Sequence, residues 1–336
     1  MYFFSIVLGG FGAWFVSRHA YLLGLIDRPN ERSSHDRPTP KGGGIGILFV
    51  FMMVCILNKI TICFWIPVTG LSLLSLFGDR INLNPGLRLV VQFGVAFLFL
   101  TELDISSLTS VKGFHQFLIS ILIYVSAAVY VVGTANFFNF MDGINGIAGV
   151  TGIIGFSLLG SYGAVAGRNP ELSTLSFAMV FACAGFLPFN IPKARVFMGD
   201  VGSILLGFVF ACIVVAFTHT FSDFVILVCF MFPFYMDELI TMMERIIDGQ
   251  RLTLPHRRHF YQVLVNEGQI AHWKVSLGYG ILQLLVGLFV WFIVQQNLLL
   301  GVIGIGTLAI IFFFINMKVK NSITGSDRNF SISGGK

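Results

Sequence analysis

The feature that most constrains this chain is a series of long apolar runs, each about as long as a helix that crosses a membrane. A hydrocarbon core is spanned by roughly 20 apolar residues in helical form. Such runs lie at about 2–17, 42–58, 61–77, 87–101, 114–133, 143–163, 173–191, 203–219, 222–242, 274–295 and 298–317. Charged residues make up only 11% of the chain, against about 25% in soluble proteins. A soluble globular protein and a disordered chain are therefore both excluded.

The runs predict an all-α polytopic integral membrane protein with about eleven transmembrane helices, or ten if the second and third runs form one broken unit. A membrane barrel would show alternating segments of about ten residues, whereas these runs are unbroken. The first run has no basic n-region and no small-residue cleavage site. We therefore expect it to be a retained anchor and not a signal peptide.

The basic residues predict the orientation of the chain. With eleven spans, 18 of the 21 Lys and Arg residues fall on the side of the first loop, and the other side carries Lys59, Lys112 and Arg168. Basic residues are concentrated in cytoplasmic loops. We therefore expect the N-terminus outside and the C-terminus in the cytoplasm. This distribution explains the net charge of +5 without a nucleic-acid partner.

The acidic residues follow the same bias. Twelve of the 16 fall at the predicted cytoplasmic face, and the others are Glu102, Asp104, Glu171 and Asp223. Every sizeable polar cluster then lies on one surface, which is typical of an enzyme that works at the membrane interface. The alternative is a transporter or a flippase of lipid-linked sugars, which the number of spans favours. Transporters more often place ionisable groups near the bilayer midplane.

The first cytoplasmic loop contains the sequence DRPNERSSHDRPTPKGGG at 27–44. Its candidate phosphate ligands, as hydrogen-bond and charge donors, are Arg32, Ser33, Ser34, His35 and Lys41. The glycines at 42–44, with Gly46, resemble a phosphate-binding loop only superficially, because the Lys-Ser/Thr pair of that motif is missing. Close helix packing through small residues is the favoured interpretation.

A second polar segment has the sequence NFFNFMDGING at 136–146. Its Asn136, Asn139, Asp142 and Asn145 recur every three residues, and residues three apart share a helix face. Amides beside a carboxylate suit a Mg²⁺–phosphate or nucleotide site. A functional site is therefore favoured over an ordinary polar helix end.

Two further aspartates stand at ends of apolar runs. Asp200 lies in the sequence FMGDVGS, where a glycine-rich turn lets a metal ion and a phosphate approach the backbone. Asp200 is also expected to cap the helix that follows. Asp79 lies at the end of the third run. A structural role, as a paired charge at a helix terminus, explains its position as well as a functional role does.

The last polar loop contains PHRRHFYQ at 255–262. His256 and His259 have a spacing that metal ligands use, but Arg257 and Arg258 between them favour an anion. No cysteine or third histidine is near enough in sequence to complete a zinc site. A diphosphate-binding segment is therefore favoured over a metal site.

Together these loops resemble the polyprenyl-phosphate N-acetylhexosamine-1-phosphate transferases, or glycosyltransferase family 4. The resemblance extends from about Leu25 to Gln262 and rests on four blocks in order: DRPNxRSSHxxPTPxGGG, NxxNxxDGxxG, FMGDxGS and HRxHxYQ. The last block is similar to that of the O-antigen-initiating branch. Many members carry two adjacent aspartates in the third loop, whereas this chain has Gly78-Asp79.

The resemblance implies transfer of N-acetylhexosamine-1-phosphate from a UDP-sugar to undecaprenyl phosphate, with release of UMP. It implies Mg²⁺ as the cofactor, with Mn²⁺ as the alternative ion, and an active site on the cytoplasmic face of the bacterial inner membrane. The partners are then the two substrates and the bilayer, with a homodimer left open. The acceptor phosphate is already a dianion near neutral pH, so we expect Asp79 to have little deprotonation to perform.

The site residues carried over by motif fall into three groups. The catalytic group is Asp79, Asp142 and Asp200, of which Asp200 and Asp142 are also the metal ligands. The substrate-binding group is Lys41, Ser34, His35, Asn136, Asn139, Asn145, His256, Arg257 and His259. We expect one catalytic domain at 1–317, with its active site built from loops at 18–41, 78–88, 134–146, 190–203 and 244–273. A mobile cytoplasmic tail is expected at 318–336.

Overall fold

The computed structural model describes residues 1–29, 34–81, 84–103, 114–251 and 256–333, and the side chains of 79–81, 114 and 324–333 fall outside this description. Within these ranges the chain is almost entirely helical. The helices are α1 Tyr2–Leu23, α2 Ile45–Leu57, α3 Ile62–Ile81, α4 Pro85–Leu100, α5 Phe114–Phe140, α6 Ile147–Val165, α7 Pro170–Phe186, α8 Asp200–Phe217, α9 Phe221–Cys229, α10 Phe232–Ile247, α11 Phe260–Asn266, α12 His272–Gln296 and α13 Leu298–Ser333.

The apolar helices confirm a polytopic membrane protein. Among the described residues, seven helices are long and apolar enough to cross a membrane, namely α1, α5, α6, α7, α8, α12 and α13. Helices α9 and α10, which meet at a bend of 81°, add an eighth span if they are counted together. The other predicted runs form the shorter apolar segments Ile45–Leu57, Ile62–Gly78 and Pro85–Leu100. The total of eleven spans and the orientation of the chain stay predictions.

Helix α8 lies at the centre of the bundle. Its residues from Val201 to Val214 are all buried, and α3, α5 and α6 pack around it. A helix surrounded in this way needs no polar stripe, which explains why α8 is apolar on every side. Its first residue, Asp200, lies beside the end of α5, because Asn139 Nδ2 donates to Asp200 Oδ1 at 2.9 Å.

The glycines at the start of α2 pack against other helices, as predicted. A Cβ atom on Gly44 would lie 2.5 Å from Gly202 Cα, and one on Gly46 would lie 2.5 Å from the carbonyl oxygen of Leu8. The backbone N–H groups of Gly43 and Gly44 donate to the carbonyl oxygens of Phe197 and Met198, both at 2.9 Å. The packing interpretation is therefore confirmed, since these N–H groups already bind the protein's own backbone.

A short β contact ties the first loop to the start of α8. Strands β1 (Ile26–Asp27) and β2 (Thr39–Pro40) pair antiparallel. Lys41, the next residue, forms a parallel bridge with Phe197, and Phe197 N donates to Pro40 O at 2.8 Å. The backbone of Lys41 is thereby held close to the Gly199–Asp200 turn.

Helix α13 extends into the segment predicted as a tail. It runs without interruption from Leu298 to Ser333. Lys320 Nζ lies 3.0 Å from Glu244 Oε2 on α10. The division into a domain at 1–317 and a mobile tail stays a prediction.

Candidate active site

A cavity of about 310 Å³ opens at the end of the bundle where α5 ends and α8 begins. This volume is at the lower end of the range for small-molecule sites. The cavity is lined by Asp27, Ser34, His35, Lys41, Asn139, Asp142, Gly143, Ile144, Asn190, Phe197, Gly199, Asp200 and Gln262. Six of the residues predicted from the sequence are in this set: Ser34, His35, Lys41, Asn139, Asp142 and Asp200. Residues from four separate loops thus meet in one place.

Asp200 is the first residue of α8, and its carboxylate points to side chains from other helices. Gly199, before it, has φ 72° and ψ 167°, a conformation that glycine adopts far more readily than other residues. The N-cap position of α8 is occupied by Gly199, and Asp200 is the first residue inside the helix, so Asp200 is not the N-cap residue that was predicted. Its Oδ2 accepts from Arg88 Nη1 at 2.7 Å. Asn139 Nδ2 donates to Asp200 Oδ1 and also to Ser203 Oγ, at 2.9 and 2.8 Å.

The four polar residues spaced by three do not share one helix face. Helix α5 ends at Phe140, so Asp142 and Asn145 lie in the turn that follows. Asn136 points away from the cavity, because its Nδ2 donates to Gln92 Oε1 and to the carbonyl oxygen of Val132, both at 2.7 Å. Of the four, Asn139 and Asp142 reach the cavity.

The turn at 141–146 is held by contacts with distant segments. The side chain of Asn145 donates to the carbonyl oxygen of Pro192 at 3.3 Å, and Ser276 Oγ donates to the carbonyl oxygen of Asn145 at 2.8 Å. Asn190 Oδ1 accepts a hydrogen bond from Gly146 N. Asn145 thus binds the protein, whereas Asn190, which was not predicted, binds the turn and also lines the cavity.

The histidines of the last loop lie behind the cavity wall. His259 is 2% exposed, with its Nε2 3.4 Å from Glu238 Oε2 and its Nδ1 3.8 Å from Asp237 Oδ1. These two acids on α10 were not predicted as its partners. Their position inside an apolar run was the available signal, because buried acids in such runs are usually paired.

His256 and Arg257 also lie outside the set of cavity-lining residues. The His256 ring centroid is 4.8 Å from that of His259. Burial lowers the pKa of His256 to about 4, and the positive charges near it act in the same direction. His256 is therefore neutral at pH 7. From this loop, Gln262 is the described residue that lines the cavity.

Some predicted residues fall outside the description. The Asp79 side chain is one, and Arg32 and Ser33 of the first loop are others. Arg88, which follows the third loop, was not predicted as a site residue. Its contact with Asp200 was not predictable, because it joins residues 112 positions apart.

The donor groups in the cavity fit a Mg²⁺ ion that arrives with a phosphorylated substrate. Among the described residues, no group of three or more His, Cys, Asp or Glu side chains is arranged to hold a metal ion by itself. Mg²⁺ usually takes one or two protein carboxylates and fills its other positions with phosphate and water. Asp142 and Asp200, which line the same cavity, match that requirement.

The chain is similar to known proteins over most of its length. The model of the family "Glycosyl transferase family 4" matches residues 61–218. An undecaprenyl-phosphate alpha-N-acetylglucosaminyl 1-phosphate transferase of Thermotoga maritima is 30% identical over 75% of this chain and 76% of its own length. The corresponding protein of Escherichia coli K12 is 27% identical over 76% of this chain and 73% of its own.

A further relative covers nearly the whole chain. The probable undecaprenyl-phosphate N-acetylglucosaminyl 1-phosphate transferase of Bacillus subtilis is 25% identical over 92% of this chain and 87% of its own length. The matches therefore include the turns that carry Asn139, Asp142 and Asp200. With the cavity that these residues line, they show that this membrane protein belongs to glycosyl transferase family 4, the polyprenyl-phosphate N-acetylhexosamine-1-phosphate transferases.

Proposed function

We propose that the protein transfers N-acetylhexosamine-1-phosphate from a UDP-sugar to undecaprenyl phosphate at the cytoplasmic face of the bacterial inner membrane. UMP is released, and the lipid-linked product starts the synthesis of O-antigen or a related cell-envelope polysaccharide. The names of the relatives support undecaprenyl phosphate as the acceptor. The four-block sequence motif, and its last block in particular, supports the O-antigen branch.

The observation that carries the proposal is the meeting of carboxylates, amides and a lysine in one cavity. Asp142, Asp200, Asn139, Asn190 and Lys41 all line it. Phosphoryl transfer depends mainly on positioning and on neutralising charge. Such a cavity suits a diphosphate with its cation better than it suits an uncharged solute in transit through a membrane.

In the net reaction, an oxygen of the acceptor phosphate forms a bond to the sugar-bearing phosphorus of the donor. The bond from that phosphorus to the bridging oxygen breaks, and the bridging oxygen leaves with UMP. Asp200 and Asp142 would hold Mg²⁺, which neutralises charge on the diphosphate when it is bound. The Asn139 amide orients Asp200, and the Lys41 ammonium favours anions in the cavity.

Product analysis with purified protein tests the proposal. The protein in nanodiscs is incubated with undecaprenyl phosphate, Mg²⁺ and each of several UDP-N-acetylhexosamines. UMP and the lipid-linked sugar are then measured by mass spectrometry. We expect equal amounts of both with at least one donor, and none after chelation of Mg²⁺. No UMP with any donor, together with movement of a lipid-linked sugar across the bilayer, would establish a flippase instead.

Two variants test the site itself. We expect Asp142→Asn and Asp200→Asn each to lower turnover by about 100-fold or more, since each removes charge stabilisation of the reacting groups. Asp248→Asn is the matched control, because its carboxylate is also in an ion pair, with Arg258, but is exposed and outside the cavity. Turnover of the control should stay within about twofold of wild type. Equal losses of turnover in all three variants would contradict the proposal that the cavity is the active site.

A further inference from the structure

Tyr261 connects the last loop to the turn that carries Asp142. Its side chain is completely buried, and its hydroxyl group donates to the carbonyl oxygen of Phe140 at 3.0 Å. Phe140 is the last residue of α5, so this carbonyl has no partner further along its own helix. The phenol therefore completes the hydrogen bonding of the helix end from which the Asp142 turn departs.

The same hydroxyl group also packs against Gly143, the residue that follows Asp142 in the chain. A Cβ atom built on Gly143 would lie 2.2 Å from Tyr261 Oη, so no larger residue fits there without movement. Tyr261 thus contacts the residues at 140 and 143, on either side of Asp142. Gln262, the residue after Tyr261, lines the cavity.

Tyr261 is itself fixed by a buried carboxylate. Asp237 accepts hydrogen bonds from Phe260 N at 2.7 Å, from Tyr261 N at 3.2 Å and from the Tyr279 hydroxyl group at 2.7 Å. The ring of His259 stacks on that of Tyr261, with centroids 5.5 Å apart. The position of the phenol is therefore determined by its contacts with residues of α10 and α12.

The phenol acts as a donor over the whole physiological pH range. Burial raises the pKa of Tyr261 well above its ordinary value of 10.0, and the nearby Asp237 carboxylate adds to this effect. The phenol therefore keeps its proton, and its hydrogen bond to Phe140, throughout that range.

We propose that Tyr261 is a positioning residue for the transfer reaction, whose hydroxyl group sets the turn that presents Asp142 to the cavity. The expected effect on kinetics rests on the proposed function, whereas the contact between Tyr261 and the turn is independent of it. A displacement of about 1 Å at a reacting group can reduce turnover by about two orders of magnitude. Loss of the hydroxyl group should therefore change how Asp142 engages the cation, while the fold stays intact.

The first test compares Tyr261→Phe with wild type in the UMP-release assay. We expect kcat to fall about tenfold, because a shift of Asp142 by less than about 1 Å should have a smaller effect than the one quoted for a full ångström. The Mg²⁺ concentration for half-maximal activity should rise severalfold, and the KM for undecaprenyl phosphate should stay within about twofold. A merely structural hydroxyl group would lower the melting temperature without moving the Mg²⁺ dependence.

Tyr235→Phe is the matched control. Its hydroxyl group lies 2.9 Å from Thr134 Oγ1 and 3.2 Å from the Tyr130 hydroxyl group. It therefore joins α10 to α5, the helix whose end Tyr261 also contacts, but away from the Asp142 turn. Its kcat and Mg²⁺ dependence should match those of wild type. Wild-type kinetics in Tyr261→Phe, or equal changes in both variants, would overturn the proposal.

A double-mutant cycle with Gly143→Ala tests the contact directly. In wild type the added methyl group collides with Tyr261 Oη at 2.2 Å, whereas without that oxygen the nearest atom is Cζ at 3.1 Å. Gly143→Ala should therefore reduce turnover by a larger factor in wild type than in Tyr261→Phe. Purely multiplicative effects would show that the two sites do not interact.

Hydrogen exchange separates this proposal from the proposed function. Peptides covering 140–146 should exchange faster in Tyr261→Phe than in wild type, and Tyr235→Phe should leave them unchanged. This measurement needs no substrate. An inactive wild-type protein with faster exchange in Tyr261→Phe would count against the function and for the positioning contact. Unchanged exchange would count against Tyr261 whatever the activity.

Discussion

Arg88 Nη1 lies 2.7 Å from Asp200 Oδ2, so the first residue of α8 is paired with a cation from the first turn of α4. Both side chains are only partly exposed, at 29% and 23%, which strengthens the attraction relative to a surface pair. Asp200 is also the candidate Mg²⁺ ligand. A metal ion that binds this carboxylate must therefore share it with the Arg88 guanidinium or displace it.

This competition leads to a prediction for Arg88→Gln. Removing the guanidinium removes a cation that competes for Asp200, so we expect the Mg²⁺ concentration for half-maximal activity to fall severalfold. UMP release is measured across a Mg²⁺ titration. Arg168→Gln is the control, because Arg168 forms a similar pair with Asp223, 2.9 Å apart, among residues that do not line the cavity. An unchanged or higher Mg²⁺ requirement in Arg88→Gln would contradict the competition.

A second prediction concerns the stability of the fold at acid pH. The pKa of His256 is lowered from 6.5 to about 4 in the folded protein, chiefly by burial. The unfolded chain therefore binds more protons than the folded chain between these two values. The contribution of His256 to stability is complete above pH 6.5, declines as the pH falls, and is fully lost below about 4.

Thermal unfolding in detergent at pH 7.5 and pH 5 measures this effect. We expect the melting temperature of His256→Gln to fall less between the two pH values than that of wild type, by about 2–4 °C. His19→Gln, which changes a histidine on α1 outside the cavity, should behave like wild type. Identical pH dependence in wild type and His256→Gln would show that His256 is not the group that titrates.

The sequence predicted which segments are helical, and several of the cavity residues, better than it predicted which way individual side chains point. Apolar runs specify helices regardless of register, and each of the eleven runs corresponds to helix in the structure. The i,i+3 spacing from Asn136 was less informative, because helix α5 ends at Phe140. A spacing of three residues in the sequence looks the same whether the residues lie in a helix or in the turn after it. The pattern therefore does not show where α5 ends.

The partners of the charged residues were the least predictable feature. His259 was predicted to contact a diphosphate, and the structure places it between Asp237 and Glu238. Arginines beside a histidine suggest an anion site. Whether His259 is buried, however, depends on the direction that α10 takes after the 81° bend. Long-range packing of this kind has no local sequence signal. The roles of His256, Arg257 and His259 toward substrate stay predictions.

A third prediction addresses Asp79, whose side chain lies outside the described residues. A phosphate monoester has a second pKa of about 6, so the acceptor is mostly a dianion at neutral pH and needs no strong base. We expect Asp79→Asn to lower turnover by a similar factor at every pH between 6.5 and 9, as a positioning group would. Activity regained at high pH would instead identify Asp79 as a base, and wild-type activity throughout would remove it from catalysis.

The last prediction concerns the glycine contact beneath the site. A Cβ atom on Gly44 would lie 2.5 Å from Gly202 Cα and 2.8 Å from Gly202 N, so Gly44→Ala forces α2 away from the first turn of α8. We expect a loss of about 1–3 kcal/mol in stability, as for other overpacked contacts. Because Gly202 is two residues from Asp200, we also expect turnover to fall at temperatures where the protein stays folded.

Gly70→Ala is the control, since a Cβ atom there meets nothing within 4 Å, and it should be neutral or slightly stabilising in thermal unfolding. Equal melting temperatures for the two variants would mean that α2 and α8 can move apart at Gly44 and Gly202 without loss of stability.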